Sequence, residues 1–407
     1  NLPLDINSRE LVDQHIDNKG NIIRVISKND HSTCHKCGNR ATKRNGRAPL
    51  RTIQHLPIFE QPVYLKITPV RYSCDHCDDH TTTTEQYDWC KRNASSTHAL
   101  NEYIMRQLIN STIEDVSKKT GVSPKRIQNI LNNAVGSKAD WNKVKNIDTI
   151  GIDEISKKKG HPSYVTIISG QSKCGDVYVL ATLSGRSKKD VSEFLHCIPK
   201  QIKKNIKSVC TDMYDGYVYA AIEVFGVQSV VIDRYHVSKL YRAPLDKLRI
   251  TEMLRLKTLL RTEEYDRLDG MMWMLRKNHE CLNKEEREKI KLLYKHSPLL
   301  KEAHYYAIKL TTIFNTHCSR KYGMAKFKRW ITAVGKSTLS CFDTFIKTLK
   351  KYLPYIANYF KGRKNSGFVE GLNNKMKVAA RRCYGFIKDT TIFQRLSLDL
   401  QGYAWYG

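Results

Sequence analysis

Short apolar runs and amphipathic stretches alternate in a regular order through the middle of the chain. Five runs have the length and composition of β-strands and are separated by turn residues or helical patterns. These runs are 148–154, 164–168, 177–181, 206–212 and 229–233. One amphipathic helix is predicted between the third and fourth runs, and another between the fourth and fifth. The pattern therefore predicts a mixed α/β sheet.

Asp153 lies near the end of the first run, and Asp212 ends the fourth. The predicted order of elements is three strands, a helix, a strand, a helix and a strand. This is the order of the ribonuclease-H-like fold, in which strands one and four are neighbours. We therefore expect the two carboxylates to meet, and to repel each other unless a cation joins them. Hard oxygen ligands suit Mg²⁺ or Mn²⁺. Glu154, Asp215 and Asp233 are alternatives to the chosen acids.

A third carboxylate lies beyond a long helix-rich stretch. Between residues 238 and 360 the pattern is amphipathic with almost no strand signal, which predicts an all-α insertion domain. The core pattern resumes near residue 361 with a helix that carries an acid, an amide and two basic groups on one face. These residues are Glu370, Asn374, Lys377 and Arg381. Such a stripe suits a site for a metal ion and a phosphate group.

Two Cys-x-x-Cys pairs stand in the first part of the chain, Cys34 with Cys37 and Cys74 with Cys77. Each pair can place two thiolates on one tetrahedral ion, and two pairs complete a structural Zn²⁺ site with four sulfur ligands. The residues between the pairs are strand-like, which predicts a zinc ribbon. A redox pair or unpaired buried thiols is the alternative interpretation.

A helical pattern between residues 97 and 131 predicts a helix-turn-helix. A short helix ends at Gly121, and Ser123 with Pro124 begins the next one. The second helix presents polar and basic side chains that can pair with base edges or phosphates. These candidates are Lys125, Arg126, Gln128 and Asn129. An ordinary helical hairpin that links two domains is the alternative.

The charge balance supports a polyanionic partner. The chain has 69 Lys and Arg against 40 Asp and Glu, a net charge of +29. Such a field attracts nucleic acid above all, although a solubilising surface or an acidic protein partner remains open. No apolar run reaches the ~18 residues that a membrane helix needs, so no membrane span is expected.

The predicted organisation is multidomain α/β, with a ribonuclease-H-like core interrupted by the all-α insertion. Its parts are a zinc-ribbon head (1–92), a helix-turn-helix (93–141), the first part of the core (142–237), the insertion (238–360) and the last part of the core (361–407).

With these motifs in place, the sequence resembles the DDE transposases of bacterial insertion sequences, and within them the ISL-three family. The resemblance covers nearly the whole chain and is most specific in the block 365–386. Segments 152–154 and 211–213 resemble the family's first two acidic segments. Segment 233–236 resembles the signature that follows strand five in transposases with helical insertions.

This resemblance implies metal-dependent catalysis by Asp153, Asp212 and Glu370, with Asp233 and His236 in support. For His236, a structural role at a helix start is the alternative. Water would attack a phosphodiester to free a 3′-hydroxyl, which would then attack target DNA. The implied partners are double-stranded DNA (terminal inverted repeats and target) and further copies of the chain, in a homodimer or larger assembly. The implied location is the bacterial cytoplasm, at the nucleoid.

Two other functions remain open from the residues. One is a DNA-binding regulator whose nuclease-like domain is inactive, which would not need all three acids. The other is a ribonuclease-H-like nuclease that acts on branched DNA or RNA and needs no end-specific recognition.

Overall fold

The chain forms a mixed α/β structure made of two compact units. The computed structural model describes residue 6 and residues 9–18, 20–156, 164–277, 279–364, 367–383 and 388–407. The first unit comprises Asn1–Ser137 and Met376–Gly407, and the second comprises Lys138–Lys375. No helix within the described ranges combines the length and apolar character that crossing a bilayer requires.

The first unit begins with a four-stranded sheet in the order β1-β2-β7-β6. These strands are β1 (Arg9–Asp17), β2 (Gly20–Ser27), β6 (Arg51–Ile58) and β7 (Gln61–Ile67). Alternate residues of β7 are buried, and they pack with residues of β2 and β6 in one hydrophobic cluster. The alternation read from the sequence here therefore corresponds to a half-buried strand.

Two small sheets carry the cysteine loops of the same unit. Their strands are β3 (Ser32–Thr33), β4 (Arg40–Ala41), β5 (Lys43–Arg47), β8 (Val70–Ser73) and β9 (Thr82–Thr84). β3 pairs with β4, and β5, β8 and β9 form the other sheet in that order. Short strands such as these bury little apolar surface, so other forces must hold this region.

Three helices follow in the predicted helix-turn-helix region: α1 (His98–Leu108), α2 (Ile113–Thr120) and α3 (Pro124–Ala134). The Thr112 side chain caps α2, and Gly121 ends it in the left-handed conformation at φ 67°. Ser123 occupies the N-cap of α3 without a side-chain cap hydrogen bond, and Pro124 follows in the first turn.

The C-terminal helix α16 (Asp389–Tyr406) packs on this helical group. Leu398 belongs to the same buried cluster as Leu100 and Val116. Buried Arg395 donates hydrogen bonds to the carbonyls of Leu108 and Ser111. The buried carboxylate of Asp399 accepts from the Asn110 backbone N–H at 2.9 Å and from Arg382 at 3.0 Å. α16 is therefore part of the core of the helix-turn-helix.

The second unit contains a five-stranded sheet in the order β12-β11-β10-β13-β14. The strands are β10 (Ile147–Ser156), β11 (Tyr164–Ser172), β12 (Val177–Ser184), β13 (Ser208–Thr211) and β14 (Val230–Ile232). β10, β11 and β12 are antiparallel, whereas β13 and β14 run parallel to β10. Helices α4 (Lys188–Cys197), α5 (Lys200–Lys203) and α6 (Asp215–Phe225) connect the later strands. The predicted order of elements, and the pairing of its first and fourth strands, are confirmed.

A helical region follows β14, and the described part of residues 234–362 contains no strand. Its α-helices are α7 (Arg234–Leu259), α8 (Thr262–Asp266), α9 (Met271–Met274), α10 (Lys284–His296), α11 (Pro298–Asn315), α12 (Arg320–Gly335), α13 (Asp343–Ile356) and α14 (Tyr359–Gly362). Trp330 is buried and donates to the Tyr306 carbonyl, whereas Trp273 is 64% exposed. A last helix, α15 (Gly367–Arg382), begins in this unit.

Candidate active site and metal centre

The four cysteines of the head converge. Their sulfur atoms all lie within 4.8 Å of one another, with Cys34 and Cys77 at 3.8 Å and Cys37 and Cys74 at 3.5 Å. The backbone N–H groups of Cys37 and Lys36 point at the Cys34 sulfur and lower its pKa to about 6. Burial raises the pKa of the Cys77 thiol to about 12, so four thiolates cannot coexist there without a cation. The predicted ligand set is thus brought together in the geometry of a structural Zn²⁺ site.

Asp153 and Asp212 lie side by side on parallel neighbouring strands. Ile152 on β10 is in register with Thr211 on β13, so the two acids come next at the same level of the sheet. The Asp153 carboxylate accepts the Glu154 backbone N–H at 2.8 Å, and Asp212 accepts the Tyr214 backbone N–H at 3.1 Å. Each of the two side chains is therefore oriented by a backbone N–H one or two residues after it.

Burial and mutual repulsion shape the electrostatics of this pair. Burial raises the pKa of Asp212, and the nearby Asp153 carboxylate raises it further. The Tyr214 N–H, His236 and Arg186 act in the opposite direction. Burial also raises the pKa of Glu154. Carboxylates held together in a partly buried site favour a bound cation.

Glu370 lies in the first turn of α15, exposed to solvent. Its neighbours bring this helix against β10, because a Cβ on Gly151 would lie only 2.2 Å from Val369 Cγ2 and 2.9 Å from the Phe368 ring. The described acidic residues form no group of three with all ligand oxygens within 4.8 Å of one another. Oxygen atoms of Asp153, Asp212 and Glu370 therefore do not all lie within 4.8 Å of one another. The joint role of these three acids in metal binding stays a prediction.

Gly151 gives a test of this close approach. We expect Gly151→Ala to lower the free energy of unfolding by ~1–3 kcal/mol, because the added methyl group overlaps the α15 side chains and forces them apart. Urea denaturation of the full chain measures the change. Gly371→Ala is the matched control, since open space surrounds Gly371 and Ala is the better helix former. An unchanged midpoint for Gly151→Ala would show that α15 can move away at no cost.

Three family models match this chain in order along the sequence. A model described as a transposase matches residues 150–396, more than half of the chain. A helix-turn-helix domain of transposase family ISL3 matches residues 85–135. A zinc-finger of transposase IS204/IS1001/IS1096/IS1165 matches residues 30–77.

The chain belongs to the ISL3 family of transposases.

Two curated transposases are similar to it over most of their length. The transposase for insertion sequence element IS1001 of Bordetella parapertussis is 24% identical over 377 residues, which cover 91% of this chain and 89% of that protein. The transposase for IS1557 of Mycobacterium tuberculosis H37Rv is 21% identical over 390 residues, 91% and 86% of the two chains. These relatives do not favour a regulator or a nuclease for branched substrates.

The zinc-finger match and the cysteine cluster together support a structural zinc in this ISL3 transposase. Residues 30–77 span both Cys-x-x-Cys pairs, so family likeness and side-chain geometry point to the same four sulfur atoms. A bound Zn²⁺ would stabilise this region, because the short strands bury too little apolar surface to do so alone.

The candidate DNA contacts of α3 differ in how they are placed. Lys125 and Asn129 are exposed, and Gln128 donates to Asn132 at 2.9 Å. Arg126 is half-buried and donates to the Gln54 side chain at 3.0 Å and to the Ser95 carbonyl. Much of the Arg126 guanidinium is therefore engaged within the protein, which the amphipathic pattern of α3 did not show.

The second group of candidates lies on α15. Asn374, Lys377 and Arg381 are exposed like Glu370, as expected for residues that share one helix face. The two supporting candidates begin α7. Asp233 is buried and accepts the Tyr235 backbone N–H at 3.0 Å as the N-cap, while His236 lies close enough to Asp212 to influence its charge.

Two residues beside the paired acids, Arg186 and Asn373, were not predicted from the sequence. Arg186 lies between the rings of Tyr164 and Tyr214, at 4.8 and 4.7 Å, and its Nε is 2.7 Å from a Glu154 oxygen. Asn373 donates to the Asp153 carboxylate at 2.5 Å. Arg186 lies in the loop after β12, outside any strand or helix, so no pattern of hydrophobic and polar positions pointed to it. Asn373 directly precedes Asn374, the asparagine that the sequence predicts as a site residue. Neighbouring residues lie on different faces of a helix, so the prediction selected the wrong face for this contact.

Proposed function

We propose that this ISL3-family transposase binds the terminal inverted repeats of an insertion sequence and catalyses metal-dependent strand cleavage and strand transfer. The single observation that carries the proposal is the side-by-side placement of Asp153, on β10, and Asp212, which directly follows the parallel neighbouring strand β13. We interpret the sheet of the second unit as a ribonuclease-H-like core and the helical region after β14 as its insertion.

The residues present fit a divalent cation at this edge of the sheet. Asp212 is half-buried beside a second carboxylate, and oxygen ligands of this kind suit Mg²⁺ or Mn²⁺. When bound, such an ion supplies Lewis acidity and a water nucleophile at neutral pH. Asp153 and Asp212 would hold it, and Glu370 on α15 would contribute the third carboxylate. His236 favours the ionised form of Asp212, which is the form that ligates.

The DNA contacts we propose fall into two groups. Lys125, Gln128 and Asn129 of α3 would read the terminal repeat in the major groove, with Arg126 fixing α3 on its own unit instead of adding a strong contact. The exposed stripe of Asn374, Lys377 and Arg381 would contact DNA phosphates. Two element ends must be brought together for strand transfer, which requires at least a homodimer.

Cleavage and footprinting on end DNA test the proposal. With Mg²⁺, we expect the full chain to protect both terminal repeats of its own element and to nick only duplexes that carry them. A duplex with scrambled ends and a four-way junction are the matched substrates. Cutting of the junction without regard to the repeats would favour a structure-directed nuclease, and protection without cutting would favour a regulator.

Two substitutions on α3 separate base reading from phosphate contact. We expect Asn129→Ala to weaken binding to the correct end by about 1–3 kcal/mol and to relax its specificity, because a base contact is lost. We expect Lys125→Ala to weaken binding to all DNA. The slope of the logarithm of the binding constant against the logarithm of the salt concentration should become shallower by about 1.

Fluorescence anisotropy at several salt concentrations measures both effects. Lys204→Ala, at an exposed site in the second unit, is the control for lost charge. Equal effects of Asn129→Ala on specific and random DNA would contradict the assignment of this residue to base reading.

A further inference from the structure

The Asp153 carboxylate is held from both sides. One oxygen accepts the backbone N–H of Glu154 at 2.8 Å, and the other accepts the Asn373 side-chain N–H at 2.5 Å. Two donors on different oxygens fix the plane of a carboxylate, and each oxygen keeps a lone pair for a cation. The backbone donor belongs to β10 itself, whereas the amide comes from α15, far along the chain.

The other atom of the same amide has no hydrogen-bond partner. Asn373 Oδ1 is buried, and no donor in the described part of the chain reaches it. An unsatisfied buried acceptor costs about 1–3 kcal/mol, so such groups are rare without a functional reason. The amide is therefore oriented by Asp153 and not by a local network of its own.

Packing holds this amide in place. Val369 and Leu372, which precede Asn373 on α15, are buried, and Val369 packs directly over Gly151 of β10. Asn373 also lies three residues after Glu370, about one helical turn away. The residue that orients the first acid thus stands on the same helix as the predicted third acid.

We propose that Asn373 is a positioning residue of the catalytic site, which sets the Asp153 carboxylate for cation binding by donating from Nδ2. The inference rests on the proposed function, because it requires that Asp153 ligate the metal. Asn373 links the position of α15 to the geometry of the carboxylate on β10. Outer-shell partners of metal ligands contribute about 10–100-fold in metal affinity or activity.

Mn²⁺ binding to the full, zinc-loaded chain tests the proposal, followed by electron paramagnetic resonance of free Mn²⁺. Asn373→Leu keeps the volume and removes the donor, and Asn373→Ala removes both, so the pair separates packing from hydrogen bonding. We expect both variants to raise the Mn²⁺ dissociation constant by about 10–100-fold. We also expect saturating Mn²⁺ to restore most of the cleavage rate, which a purely structural defect would not allow.

Two further variants make the outcomes distinct. Asn205→Ala, at an exposed asparagine between α5 and β13, should bind Mn²⁺ like the parent chain. Asp153→Asn should lose binding. If Asp153→Asn loses Mn²⁺ but both Asn373 variants retain the parent affinity, the role of Asn373 is overturned and the proposed site stands. If Asp153→Asn binds Mn²⁺ unchanged, the proposed catalytic site itself is wrong.

Discussion

Asp212→Asn is expected to abolish strand cleavage while leaving binding to element ends intact. Asparagine keeps the shape of the side chain but removes the charge with which Asp212 would hold a divalent cation beside Asp153. Loss of an outer-shell partner costs metal sites up to about 100-fold in activity, so loss of a ligand should exceed that. Single-turnover cleavage of end DNA in Mg²⁺ measures the change.

The fold should survive this substitution. Burial raises the pKa of Asp212, which means that the folded protein disfavours the ionised carboxylate relative to the unfolded chain. At neutral pH the neutral amide therefore relieves an unfavourable charge, and we expect the melting temperature to stay the same or rise.

Asp215→Asn is the matched control, because this nearby acid accepts hydrogen bonds from Lys351 and Tyr352. We expect Asp215→Asn to cleave like the parent chain. Persistent cleavage by Asp212→Asn would show that cleavage depends on another acid and not on Asp212.

Cys74→Ser is expected to release the zinc and unfold the cysteine loops of the head. The Cys74 sulfur is fully buried among three other thiols, and the strands around it are too short to hold themselves together. Structural zinc sites of this kind contribute ~10–16 kcal/mol, more than the stability of most small domains. Metal analysis and hydrogen exchange across β3 to β9 measure the loss.

The matched control is Cys174→Ser, at an exposed thiol in the turn between β11 and β12. We expect it to keep one equivalent of zinc and the parent pattern of exchange. A chelator should reproduce the effect of Cys74→Ser on the parent chain. Retained zinc and unchanged protection in Cys74→Ser would contradict a four-sulfur site.

The sequence predicted the features that depend on short-range pattern. The strand order around Asp153 and Asp212 followed from apolar runs of the right length, and the cysteine site followed from spacing. Helix boundaries at Gly121 and Pro124 followed from the conformations that these two residues favour. In each case the information lies within a few residues of the element concerned.

Features that depend on which faces meet were not predicted. Residues 361–407 are predicted as the last part of the ribonuclease-H-like core. The packing of α16, within this range, against the helix-turn-helix could not be predicted, because an apolar helix face does not show which element will cover it. Arg126 is predicted as a DNA contact from its place on α3, and the hydrogen bond that it donates to Gln54, 72 residues earlier, could not be predicted from that place. Asn373 and Arg186 act through contacts with Asp153 and Glu154 that are remote in sequence.

The insertion of α16 into the helix-turn-helix has a consequence for synthesis. Leu398, Arg395 and Asp399 satisfy apolar and polar groups of α1 and of the turn that follows it, so those groups stay uncovered until residues 389–406 have left the ribosome. A nascent chain that has not yet exposed these residues would therefore carry an incomplete helix-turn-helix. The helix-turn-helix would be complete only after α16 has packed against α1 and the turn that follows it.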